Sequence, residues 1–175
     1  MRFSEILMAL AVPLIWGLGV TFSKPVVDQF PPILLMALRF SVTSLVLVWF
    51  VTPPWQLMRS LFVIALISAA VQYALTFNGL RLLDASTAVL VVQLEVPFCT
   101  FLAIVFLKER VTLRKWLGIA VAFVGVLLIA GEPRFEDNHL GILLVIGGAL
   151  SWAIGQVMVR NLGQIGGFTV IAWVA

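Results

Sequence analysis

"ASTAVLVVQLEVPFCTFLAIVFL", residues 85–107, runs for 23 positions with one charged side chain, Glu95, at the eleventh. A helix needs about 20 consecutive apolar residues to cross the hydrocarbon core of a bilayer. This stretch is long enough, and its acid then falls near the midplane. Polar residues bound it on both sides: Asp84 before, and Lys108, Glu109 and Arg110 after. A water-soluble helix would place polar residues on one face throughout, and this one does not.

The same pattern recurs along the chain. Apolar runs at 5–23, 33–51, 60–80, 113–131 and 140–159 join 85–107 to give six expected transmembrane helices, and a seventh starts near Phe168. Pro31-Pro32 opens the second span, Pro53-Pro54 closes it, and Gly131-Glu132-Pro133 closes the fifth. Of the 175 residues, 62% are hydrophobic and 11% charged, with a mean hydropathy of +1.15. Soluble domains carry about 25% charged residues. The expected class is therefore an all-α integral membrane protein. Residues 1–23 resemble a secretory signal, but the apolar run is long and no small-residue cleavage site precedes Lys24, so a retained helix is expected.

The net charge of +3 does not mark a nucleic-acid partner, because the basic residues stand singly between apolar runs. They set orientation instead. With the N-terminus in the cytoplasm, Arg2, Arg59, Lys108, Arg110, Arg114, Lys115 and Arg160 lie inside, and Lys24, Arg81 and Arg134 outside. The outer loops also hold Asp28, Asp84, Glu132, Glu136 and Asp137. One His and one Cys give no metal-ligand spacing, so neither metal nor cofactor is expected. No His cluster, Gly-x-Ser-x-Gly or paired Asp within a span points to a membrane-embedded enzyme.

One phrase occurs twice. In "IWGLGVTFSKP" (15–25) and "SWAIGQVMVRN" (151–161), a Trp is followed by a Gly three residues on and a cation eight residues on. The residues are Trp16, Gly19 and Lys24, then Trp152, Gly155 and Arg160. The phrases mark spans one and six, so the repeating unit is five helices. An odd number of crossings inverts the second copy. Inverted repeats characterise many secondary transporters, which bind substrate near the midplane. Spans one and six are expected side by side and antiparallel, with Trp16 and Trp152 flanking a central pathway.

"WGLGVTFSK" (16–24), "LRF" (38–40), "ASTAVLVVQLEVPF" (85–98), "KERVTLRKWLG" (108–118) and "SWAIGQVMVR" (151–160) together resemble the EamA family of the drug/metabolite transporter superfamily. Family members carry Glu-Pro within the fourth helix and a Glu-Arg pair fourteen residues after that Glu. Here Glu95 and Glu109-Arg110 keep that spacing, but the proline is Pro97, one position late, so the kink is expected to be displaced. "FPPILLMALRF" (30–40) is similar to the amino-acid-metabolite exporters of the family. The resemblance implies ten helices in two halves, with residues 1–131 as the first repeat and 139–175 as a truncated start of the second. It implies an inner-membrane exporter of small metabolites, amino acids or derivatives, working by alternating access. Membrane lipid and a small-molecule substrate are its partners, with a second copy of the chain as a candidate. The alternative is a non-transporting fragment or scaffold.

The substrate-binding candidates are Glu95, Gln93, Gln72, Tyr73, Trp16 and Trp152. A carboxylate at mid-bilayer costs about 2.5–3.5 kcal/mol on insertion scales, so it is functional by default. It binds substrate or carries a proton; the plainer reading is an acid hydrogen-bonded to a neighbouring helix. Pro97 removes the donor that would bond the Gln93 carbonyl. Gln93 and Glu95 stand about 200° apart on a helix, so both cannot face one narrow stripe. Gln72 suits an amino-acid-like solute or the hydrogen-bonded joining of helices. Arg39, two turns into span two, is expected to snorkel outward. Lys24 and Arg160 read as anchors, and Glu109 as pairing locally within a basic loop. Gly147, Ser151 and Gly155 form a small-residue ladder on span six that lets another helix come close.

Overall fold

The structure is a computed structural model that describes residues 3–109, 112–130, 138–163 and 166–174. Among these residues it holds helices and no strand. Helix α1 covers Phe3–Gln29, α2 Pro32–Leu47, α3 Met58–Ala65, α4 Gln72–Leu82, α5 Ala85–Val92, α6 Glu95–Leu107, α7 Leu113–Ala130, α8 His139–Asn161 and α9 Gly167–Val174. Apolar side chains alone would not demand helices. A bilayer does, because it leaves backbone N–H and C=O groups no water to bond.

Five helical stretches of the described residues are long and apolar enough to span a membrane: Leu10–Gln29, Pro32–Phe50, Trp55–Leu82, Ala85–Leu107 and His139–Asn161. The expected fifth span is helical over the 18 residues of α7, and α9 begins where a seventh helix was expected. Much of the outer surface is apolar: Leu10, Val12, Leu45, Trp49, Phe62 and Phe106 are exposed. That surface is the one lipid covers. Helix α1 runs further than expected, through Lys24 and Asp28, whose side chains pair at 3.1 Å one turn apart.

Two spans are not simple α-helices. Between α3 and α4 the third span winds as a π-helix over Leu66–Val71. Such widened turns cluster at functional sites. The fourth span breaks at Gln93 and Leu94, between α5 and α6. There the Val96 N–H donates to the Gln93 carbonyl at 3.2 Å, and the Phe98 N–H to the Leu94 carbonyl at 3.0 Å. Val96 therefore supplies the donor that Pro97 lacks to the Gln93 carbonyl.

Contacts give each helix its direction. Lys24 Nζ donates to the carbonyls of Leu80 at 2.9 Å and Arg81 at 3.1 Å, so α1 and α4 end at the same side. Gly141 of α8 lies against Leu82 and Leu83, Gly148 against Thr76, and Gly155 against Ser68, so α8 runs opposite to the third span. At the far end Arg160 pairs with Glu109, and α6 and α8 run together. Glu109 thus pairs across helices rather than locally, because Lys108 adopts the left-handed conformation (φ 53°) and turns the chain out of α6.

Helices α1 and α8 run in opposite senses, but they are not the side-by-side pair expected from the repeat. Helix α8 packs on α4, α5 and α6, whereas α1 packs on α4 and α5. The reason lies in the glycines. A Cβ on Gly148 would overlap Thr76 Oγ1 and stand 3.2 Å from the Gln72 carbonyl, whereas one on Gly17 or Gly19 would meet nothing within 4 Å. The small-residue face of α8 is filled by the third span, and that of α1 is open. The buried members of the α8 ladder are Gly141, Gly148 and Gly155, one heptad apart; of the expected ladder, Gly155 is buried and Gly147 and Ser151 are half-buried.

Candidate functional site

Where α1, α2, α4, α5, α6 and α8 converge they border an open cavity of about 390 Å³. Binding sites for small molecules occupy about 300–1,000 Å³. Apolar residues make most of its wall, among them the aliphatic Val12, Ile15, Val20, Leu80, Val89 and Val92. Set into that wall are Ser23, Arg39, Gln72, Tyr73, Thr76 and Glu95, with the rings of Trp16, Trp152 and Phe77.

Local structure explains why these side chains meet. The break before α6 makes Glu95 the first residue of a new helix, and it lines the cavity half-buried. Gln93, two residues earlier, is exposed and stands outside the cavity. The angular separation on the helix sends one polar side chain in and the other out. The π-turn ends at Val71, and the next two residues, Gln72 and Tyr73, both line the cavity. Gln72 is 8% exposed; its Nε2 donates to Thr76 Oγ1 at 3.3 Å, and its Oε1 has no partner. A buried acceptor without a donor costs about 1–3 kcal/mol. The Gln72 hydrogen bond lies within its own helix, not between helices.

Tyr73 stacks edge-on against Phe40, with centroids 4.9 Å apart, and lies 5.7 Å from the ring of Phe77. The Arg39 guanidinium stands 5.9 Å from the Tyr73 centroid, within cation–π reach. Arg39 thus lines the cavity with its guanidinium beside an aromatic face of α4 while its side chain stays exposed, as the expected snorkelling allows. The signal for it was present: a cation two turns inside an apolar span, where an ionisable residue is functional by default. Among the described residues no ion pair engages Arg39 or Glu95, and no group of three or more His, Cys, Asp or Glu is placed to hold a metal.

Trp16 and Trp152, the two tryptophans of the repeated phrase, both line this cavity from helices of opposite sense. The structure thus gathers Glu95, Gln72, Tyr73, Trp16 and Trp152, and leaves Gln93 aside. The counted basic and acidic loop residues Arg2, Arg110, Glu132, Arg134, Glu136 and Asp137 lie outside the described residues.

These features define a class: a multi-pass α-helical membrane protein with a largely apolar, open cavity between its spans that carries one cation and one acid. The chain belongs to the EamA-like transporter family, whose model matches residues 3–131. It is 30% identical over 161 residues to a "probable amino-acid metabolite efflux pump" of Salmonella typhimurium, covering 90% of this chain and 54% of that protein. The protein of the same description from Escherichia coli K12 is 30% identical over 159 residues, 89% of this chain and 53% of that one. An "uncharacterized inner membrane transporter", YedA, of the same strain is 26% identical over 169 residues, 90% of this chain and 55% of its own length. The chain thus spans about half the length of these relatives. No solved structure matches it.

Proposed function

We propose that the chain belongs to a secondary transporter of the inner membrane that exports small metabolites, amino acids or their derivatives, by alternating access. The observation that carries the reading is the cavity in which Glu95 meets Gln72, Tyr73, Trp16 and Trp152. Supporting it are the efflux-pump descriptions of two relatives and the inner-membrane description of a third. Residues 1–131 form the first five-helix repeat and 139–175 open the second, inverted one. The opposed directions of α1 and α8, each giving a Trp to one cavity, support that arrangement. The partners are membrane lipid and the exported solute.

The test is flux. Full-length protein in proteoliposomes loaded with radiolabelled leucine should release label faster than protein-free liposomes. Glu95→Gln should lower the rate by about tenfold or more, the loss of roughly 1.4 kcal/mol of interaction, at an unchanged level in the membrane. Leucine flux no faster than in empty liposomes would sink the amino-acid export reading. A variant as fast as wild type across pH 6–8 would show that neither the charge nor the proton of Glu95 is needed.

A further inference from the structure

The cavity occupies only part of the length of the bundle. Its lining on the third span comes from α4, between Gln72 and Leu80, and on the fourth from α5 and from Glu95, the first residue of α6. Among the described residues, no part of α3, of α6 beyond Glu95 or of α8 beyond Trp152 borders it. Beyond that level, towards the Arg160 end, α6 lies along α8. Cys99 Sγ stands 3.9 Å from the Ala153 carbonyl, and Ala103, Ala153 and Val157 are buried. Ala153, Val157 and Arg160 share one face of α8, at i, i+4 and i+7, and the seam ends where Arg160 pairs with Glu109. Both spans that line the cavity most fully are broken at its floor. The π-turn of the third stops immediately before Gln72, and the fourth breaks at Gln93 and Leu94, immediately before Glu95.

From this placement, and resting on the transporter reading above, we infer that the Glu109–Arg160 pair latches the pathway shut at its own end, and that α6 swings from α8 about the break at Gln93–Leu94 when the latch opens. Hinges are short stretches at element ends that absorb a change in backbone angle, and this break is one. The pair joins span four, of the expected first repeat, to span six, of the second, and alternating access moves one repeat against the other. Lys24 does not do this: its bonds to Asp28 and to the carbonyls of Leu80 and Arg81 stay within the first repeat. Among the described residues, Glu109–Arg160 is the ion pair that joins two helices. Arg160 is exposed and Glu109 half-buried. Exposed ion pairs are weak, which suits a contact that breaks in every cycle. The small side chains of Ala103 and Ala153 then part without leaving a charge behind.

Thiol labelling reads the two ends separately. In full-length protein carrying Cys99→Ser, Val157→Cys reports the seam and Ser23→Cys the cavity near Lys24. In nanodiscs, Glu109→Gln should raise the maleimide labelling rate at Val157→Cys about two- to fivefold, the population shift that an exposed ion pair supports. The same variant should lower the rate at Ser23→Cys, because opening one end closes the other. Arg160→Gln should act alike, and the two together no more strongly than either alone. Reversing the pair, Glu109→Arg with Arg160→Glu, should restore both wild-type rates. Unchanged labelling at Val157→Cys in both single variants would overturn the inference, as would a reversed pair that labels like Glu109→Gln. So would a rise at Val157→Cys with Ser23→Cys unaffected, which is the fraying of one helix end. Melting temperatures identify a variant that fails to fold; the other single variant and the reversed pair then decide. None of these rates depends on leucine. Labelling as expected without leucine flux would sink the amino-acid export reading alone, and leucine flux with unaltered labelling would sink the latch alone.

Discussion

Gln72 holds the clearest conflict between stability and use. It is buried beside the close approach of Gly148 to Thr76, yet its side-chain Oε1 bonds nothing and its Nε2 makes one 3.3 Å bond within its own helix. An amide kept only to join helices would cross to a neighbour. Replacing such a group with an apolar one of similar shape is commonly neutral or stabilising. Gln72→Leu should therefore leave the melting temperature of the purified protein unchanged or higher, while leucine binding weakens by about tenfold. A fall in melting temperature with binding intact would make Gln72 structural. At this scale the sequence was partly legible. Glu95 stood out because a lone acid in 23 apolar residues has no cheap explanation. Arg39 is exposed, as snorkelling requires, but nothing local announces that Tyr73 will face it from α4. Gln93 and Glu95 were known to diverge, but which one faced inward depended on neighbours the fourth span alone does not name.

Elements show where periodicity stops informing. Every apolar run became a helix, since the bilayer permits little else. The π-turn at Leu66–Val71 has no comparable signature: LISAAV contains neither Pro nor Gly. Within it Ser68 stands against Gly155, and the Ser68 hydroxyl donates back to the Ile64 carbonyl at 2.8 Å, a local bond of the kind that bends helices. The small residues of span six were visible as a ladder, but their partner was not. A groove of glycines fits any helix with a matching ridge, and the third span supplies that ridge in place of the first. The two sets of glycines can be told apart by adding one methyl group. Gly148→Ala must push Thr76 or the Gln72 backbone, and overpacking of this kind costs about 1–3 kcal/mol. Gly19→Ala meets nothing within 4 Å. The first variant should lower the melting temperature by on the order of several degrees and the second should not. Equal tolerance of both would mean that α4 and α8 do not approach closely at Gly148.

The molecule as a whole has two chemically different ends. At one, Lys24 binds the last carbonyls of α4 and Asp28, with Arg81 and Asp84 nearby in sequence. A cation there meets the negative pole of a helix terminus. At the other, Arg160 pairs with Glu109, and Arg59, Lys108, Arg114 and Lys115 belong to the same side. The two cations of the repeated phrase, each eight residues beyond a cavity Trp, thus stand at opposite ends of the bundle on helices of opposite sense. Five of the described basic residues gather at the second end and Lys24 and Arg81 at the first, so the second should face the cytoplasm. Asp84 and Lys115 are both exposed, and they report the two ends separately. In a Cys99→Ser background, Asp84→Cys should react with a membrane-impermeant maleimide added to intact cells. Lys115→Cys should react only after the cells are permeabilised. The opposite pattern would place the N-terminus outside and reverse the direction assigned to transport. Labelling of both positions from outside would mean that Asp84 and Lys115 do not lie at opposite ends. That would contradict the directions derived for α1, α4, α6 and α8 from Lys24, Gly141 and the Arg160–Glu109 pair.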